Sequence, residues 1–144
     1  MAIDFGKRRI GTAISDPFGT FASALETIDG RDLDFAISRI RGLVTEHGVA
    51  ELVVGLPLRT DGSVGPEAEK CQSFARKLQE KLKLPVNMQD ERFTTVEAHH
   101  SMQAMGADGR KRRGSVDRVA AALILQSFLD RRAAERRREE ESWQ

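Results

Sequence analysis

Asp4 lies between Ile3 and Phe5, inside an otherwise apolar stretch that opens the chain. A carboxylate there costs desolvation energy unless something compensates it. Gly6 follows, and then a basic turn of Lys7, Arg8 and Arg9. An acid beside a tight basic turn is where an enzyme holds a cation or contacts a phosphate. Two further acids stand at the ends of predicted elements: Glu91, preceded by Asp90, just past a strand, and Asp117 in the first turn of the last helix. If the elements bring these three together, the carboxylates repel one another and need divalent cations or shared protons. Hard oxygen ligands of this kind suit Mg2+ or Mn2+. With two ions shared between Asp4 and its partners, one lowers the pKa of an attacking water and the other stabilises the leaving oxygen of a phosphodiester. The bland alternatives stay open for two of the acids. Asp117 is favourable in a first helical turn through the helix dipole alone, and Glu91 followed by Arg92 makes an ordinary surface ion pair. An acid in the middle of a short apolar strand has no such explanation.

The cations have the same duality. Arg110, Lys111, Arg112 and Arg113 are consecutive in a loop bounded by Gly106 and Gly114, directly before Asp117. Such a loop suits a phosphate backbone, although a charge run is also an ordinary solvated surface. Arg59 sits in a turn-rich loop, 56–65, expected at the carboxyl edge of the sheet near a helix start at Pro66, where substrate phosphate is favoured. Asp61 and Gly62 in that loop serve equally well as plain turn formers. Lys7, Arg9 and Arg92 complete the expected nucleic-acid contacts. His99 and His100 are adjacent, so they point to different sides of a helix and form no metal pair, and Cys71 falls on an apolar stripe, a core position. No metal–thiolate spacing, Ser/His/Asp triad or Walker lysine motif is present.

Strands are predicted over 2–5, 9–16 and 22–28, joined by short connections and therefore antiparallel. Leu33, Ile37, Ile40 and Val44 recur at helical spacing and Gly48 stops that helix. A buried-type strand at 51–55 follows, then a helix with Pro66 at its first position and Cys71, Ala75, Leu78 and Leu82 as its stripe. Residues 86–89 alternate as a further strand. Thr94 and Glu97 form a capping box for a helix that turns Ala98, Met102 and Met105 inward. Ser115 is the expected cap of the last helix, whose apolar face is Val116, Val119, Ala120, Leu123, Ile124 and Phe128. The order βββαβαβαα implies an α/β fold: a mixed five-stranded sheet, three antiparallel strands then two parallel ones, with helices on both faces. One domain is expected over 1–130, and 131–144 as a charged helical extension or tail.

Composition narrows the classes. The chain has 144 residues, 40% hydrophobic and 31% charged, as in soluble globular domains. A net charge of +1 leaves attraction to nucleic acid to local patches. The single cysteine excludes an internal disulfide and fits a reducing cytosol. The longest apolar run, Val119 to Leu125, is too short for a bilayer. No charged-then-apolar leader precedes Asp4, so no export signal is expected, and with only three residues before it the first strand is short.

Asp4-Phe5-Gly6 with Lys7, Arg9-Ile10-Gly11 and Ser15-Asp16; Val53-Val54-Gly55-Leu56-Pro57-Leu58 with Asp61-Gly62; Asp90-Glu91-Arg92 with Thr94-Thr95 and Glu97-Ala98; and Val116-Asp117 with Ala120-Ala121 together resemble the YqgF/RuvX family. This is a bacterial branch of the RNase H-like nucleases, related to the RuvC resolvases, and the resemblance covers about residues 2 to 129. It implies an RNase H-like fold and a metal-dependent nuclease with Asp4, Glu91 and Asp117 as the acidic set. Members are described either as nucleases that mature the 5′ end of pre-16S ribosomal RNA or as Holliday junction resolvases. Junction cleavage needs two symmetric cuts and so favours a homodimer. The seven Phe are scattered and Tyr is absent, which points to recognition of backbone and shape rather than of bases. Two other readings compete: a non-catalytic nucleic-acid-binding module on the same fold, and an actin-like ATPase. That ATPase architecture closes two such domains over its nucleotide, and only one is expected here.

Overall fold

The protein is described from a computed structural model covering residues 1–93 and 113–143. Strands β1 (Ala2–Phe5), β2 (Arg9–Ser15), β3 (Ala22–Asp29), β4 (Leu52–Leu56) and β5 (Val86–Asp90) form one sheet in the order β3-β2-β1-β4-β5. β1 pairs antiparallel with β2, and β2 with β3, through short turns. β4 lies parallel to β1, and β5 parallel to β4. This is the expected mixed sheet, and it puts β1 at its centre. The carboxyl ends of the three parallel strands, at Phe5, Leu56 and Asp90, share one edge.

Alternation along the strands sends each residue to one of two cores. Ile3, Ile10, Leu52 and Val54 pack under α1 (Leu33–His47) and α2 (Pro66–Leu82). Asp32 caps α1 by accepting from the Asp34 and Phe35 amides, and Gly48 ends it at φ 63°. Phe5 stacks on Phe74 with ring centroids 4.2 Å apart, which ties the end of β1 to α2. The opposite face carries Ala2, Ala13, Ala22 and Val53 and packs against α3 (Arg113–Ser142).

α3 differs from expectation in two ways. It starts at Arg113, so Arg113 and Gly114 belong to the helix rather than to a loop, Ser115 is inside it, and Asp117 lies one turn from its start. Its buried face is Ala121, Ala122, Ile124, Leu125, Phe128 and Leu129, with Val119, Ala120 and Leu123 only half-buried. The helix is apolar over so wide an arc that periodicity does not select the inner side. Contact does: a Cβ on Gly11 would sit 2.0 Å from the Asp117 carbonyl oxygen, so the helix backbone rests on β2 at that point and small residues must follow it inward. Residues 131–142 prolong α3 beyond the sheet. The expected helix from Thr94 and the cations Arg110, Lys111 and Arg112 lie outside the described residues. No described helix is long and apolar enough to cross a membrane.

Candidate active site

Asp4 follows Ala2 at strand spacing and therefore projects from the α3 face of β1. In the antiparallel register it lies opposite Gly11. That glycine leaves no side chain to fill the space, and α3 enters it with Asp117. Asp4 and Asp117 thus come near each other because β1 carries an acid where its neighbour strand has a residue with no Cβ. Burial raises the Asp4 pKa, and the Asp117 charge raises it further.

Glu91 follows β5 in a single turn of 3-10 helix, Glu91–Phe93. A Cβ on Gly55 would fall 2.5 Å from Glu91 Oε1 and 2.7 Å from Ile124 Cδ1, so Gly55 is the gap through which the glutamate reaches. Burial pushes the Glu91 carboxyl up to about 7, with Asp4, Asp90 and Glu67 adding to the shift. Asp4 is thereby the acid common to two pairs, one with Asp117 and one with Glu91. The three do not converge as closely as expected. Among the described residues, no three His, Cys, Asp or Glu side chains gather tightly enough to hold one metal ion. Asp117 has room for a partner. Among the described residues nothing donates a hydrogen bond to the buried Asp117 Oδ2, and Arg9 Nη1 lies 3.9 Å away, beyond hydrogen-bond reach. A buried carboxylate oxygen without a donor suits a bound cation.

Asp4 and Glu91 open onto a cleft of about 590 Å3 whose other walls include Lys7, Pro57, Glu67 and Lys70. Cys71 lies at its floor, its thiol pushed up to about 11 by burial and the nearby acids, which leaves it unreactive. The expected cations separate into two groups. Lys7 lines the cleft. Arg59 lines its continuation. Arg9 faces Asp117. Arg92 instead grips Asp90, with Nη2 2.8 Å from Oδ2, and donates to the Thr60 carbonyl. The run Arg110 to Arg112 lies outside the described residues. Lys70 and Glu67 escaped the sequence reading. Their signal was present: both fall in the opening turns of α2, next to its Cys71 stripe, where a helix starts at the carboxyl edge of a sheet.

The family model described as "RuvX: Holliday junction resolvase" matches residues 1–131. The chain belongs to this family. RuvX membership makes it a nuclease, a hydrolase of phosphodiester bonds. A "Putative pre-16S rRNA nuclease" of Moorella thermoacetica is 47% identical over 131 residues, covering 91% of this chain and 94% of that protein. Its counterpart of the same name in Koribacter versatilis is 43% identical over 136 residues, covering 94% and 89%. T. thermophilus RuvC, solved in complex with a Holliday junction substrate, matches with a TM-score of 0.55 at 13% identity over 85% of this chain and 89% of that one. That likeness is one of fold, and the fold is RNase H-like.

Proposed function

We propose that this RuvX-family chain is a divalent-metal-dependent endonuclease that trims the 5′ end of pre-16S ribosomal RNA in the cytoplasm. The nuclease unit is residues 1–130, and 131–144 is a charged helical extension or tail. The observation that carries the reading is Asp4 at the carboxyl edge, near both Asp117 and Glu91, with a buried Asp117 Oδ2 that accepts no hydrogen bond from the described residues. Three carboxylates are hard donors and fit Mg2+ or Mn2+. Asp4, Glu91 and Asp117 would hold the ions, which when bound lower the pKa of water and stabilise charge on a departing oxygen. In this reading the acids are ligands, and none is the nucleophile. Arg9 steadies Asp117 through its charge, 3.9 Å away. Lys7, at the mouth of the cleft, receives a substrate phosphate. The names of the curated relatives favour RNA.

A second reading, a homodimeric Holliday junction resolvase, is favoured by the family description and the likeness to RuvC. Cleavage of a pre-16S 5′-end RNA and of a synthetic four-way DNA junction, side by side in Mn2+ and in Mg2+, separates the two. Cutting confined to the RNA and lost in Asp117→Asn supports the first. Paired symmetric cuts in the junction, lost in the same variant, support the second. Cleavage that Asp117→Asn leaves untouched sinks both, and the binding module then stands.

A further inference from the structure

The cleft beside Asp4 does not end at Lys70. It runs on into a second compartment of about 530 Å3 lined by Leu58, Arg59, Gly65 and Pro66, and the two share Lys7, Pro57, Glu67 and Lys70. Each is within the range of about 300–1,000 Å3 that takes one drug-sized molecule, the bulk of a nucleotide or two rather than of a double helix. The compartments form one groove leading outward from the acids, between the β1–β2 turn and the start of α2.

The cations of this groove differ from four paired arginines of the protein. Arg31, Arg39, Arg92 and Arg132 each have a carboxylate partner, Asp29, Glu26, Asp90 and Glu51 respectively. Lys7, Lys70 and Arg59 make no salt bridge among the described residues, and all three are exposed. Arg59 is nonetheless placed. Its amide donates to the Ser63 carbonyl and its carbonyl accepts from the Gly62 amide, while a Cβ on Gly65 would lie 2.9 Å from its Nε. Glu67 is the one acid of the outer part, so cations prevail there three to one.

Resting on the nuclease reading above, we infer that this groove is the track for a single-stranded RNA flank, its phosphates held in turn by Lys7, Lys70 and Arg59 on the way from the cleavage position. Unpaired cations along a channel of single-strand bulk, continuous with the acids, match a polyphosphate chain in charge and in shape. Lys70 is then a substrate-positioning residue, and Glu67 keeps the phosphates from settling beside Glu91.

Fluorescence anisotropy with a labelled 12-nucleotide single-stranded RNA and its blunt duplex, in chelator so that nothing is cut, tests this. Lys70→Glu should weaken single-strand binding about tenfold or more, while Lys81→Glu, the same charge change on the far end of α2, moves it less than about twofold. Lys70→Ala should flatten the dependence of log Kd on log salt by about 0.7, the share of one phosphate on a single strand. Equal effects of Lys70→Glu and Lys81→Glu, loss confined to the duplex, or no single-strand binding by the wild-type chain overturns the track. Each of these results leaves the nuclease reading intact. That reading fails instead when Asp117→Asn still cuts, whatever the anisotropy reads.

Discussion

Two glutamates follow or precede parallel strands at opposite ends of the sheet and have opposite environments. Glu51 precedes β4. It takes two hydrogen bonds from the Arg132 guanidinium and a third from Asn87 Nδ2 at 2.9 Å, and these hold its carboxyl below the usual range. Glu91 follows β5. It is half-buried near Asp4, Asp90 and Glu67 and is pushed up to about 7. α3 links the two ends, with Asp117 beside the second and Arg132 beside the first. Residue type is the same, so what differs is the company. At one end the sequence supplies a cation for a half-buried carboxylate, and that end is structural. At the other it gathers more acids, and they raise the carboxyl instead of lowering it.

Breaking the acidic end should therefore cost activity, and breaking the paired end should cost stability. The largest effect is expected for Asp4→Asn, which removes the acid common to both pairs. Cleavage in Mn2+ should fall about 10²–10³-fold in kcat, measured under single turnover. Thermal stability should rise slightly or hold, since a repelled carboxylate is lost. Gly11→Ala comes next. Its Cβ would collide with backbone rather than with a flexible side chain. Moving α3 away should destabilise the fold by about 1–3 kcal/mol in a denaturant titration, with a loss of activity because Asp117 moves too.

Much of this was legible in the sequence. The strand order followed from connection lengths and from Pro and Gly punctuation, and Asp4 stood out because an acid in an apolar strand demands a reason. What the sequence hid depends on packing in three dimensions. Gly11 and Gly55 read as parts of motifs, not as the gaps that admit Asp117 and Glu91. The inner side of α3 was ambiguous because alanine, valine and leucine surround it, so periodicity gave Ala120 and Leu123 where contact selects Ala121 and Leu125. Arg92 read as a nucleic-acid contact or as the ion-pair partner of Glu91, where the fold pairs it with Asp90 instead. Lys70 was passed over because one lysine near a helix start is unremarkable until the groove beside it is seen.

Smaller effects sharpen the comparison. Glu51→Ala strands Arg132 without its ion pair. Both side chains are about one-third exposed, so the loss should be only about 1 kcal/mol, or about 4 °C in Tm, with cleavage within about twofold of wild type. The smallest effect is on pH. Folded Glu91 keeps its proton to about pH 7, against an ordinary 4.5 in the unfolded chain. Between those values the folded state binds more protons, so in chelator its stability should fall as pH rises from 4.5 and level off above 7. Glu91→Gln should remove that slope, worth about 1 kcal/mol after allowance for solvent screening.

The most direct measurement is Mn2+ binding to the free protein at pH 7.5, followed by electron paramagnetic resonance of the unbound ion. Wild type, Asp117→Asn and Glu51→Gln are compared. The account predicts saturable binding by the wild type and by Glu51→Gln, and its loss in Asp117→Asn. Equal Mn2+ uptake by all three proteins, or none by any, would contradict the claim that the acids at the carboxyl edge are built to hold a divalent cation.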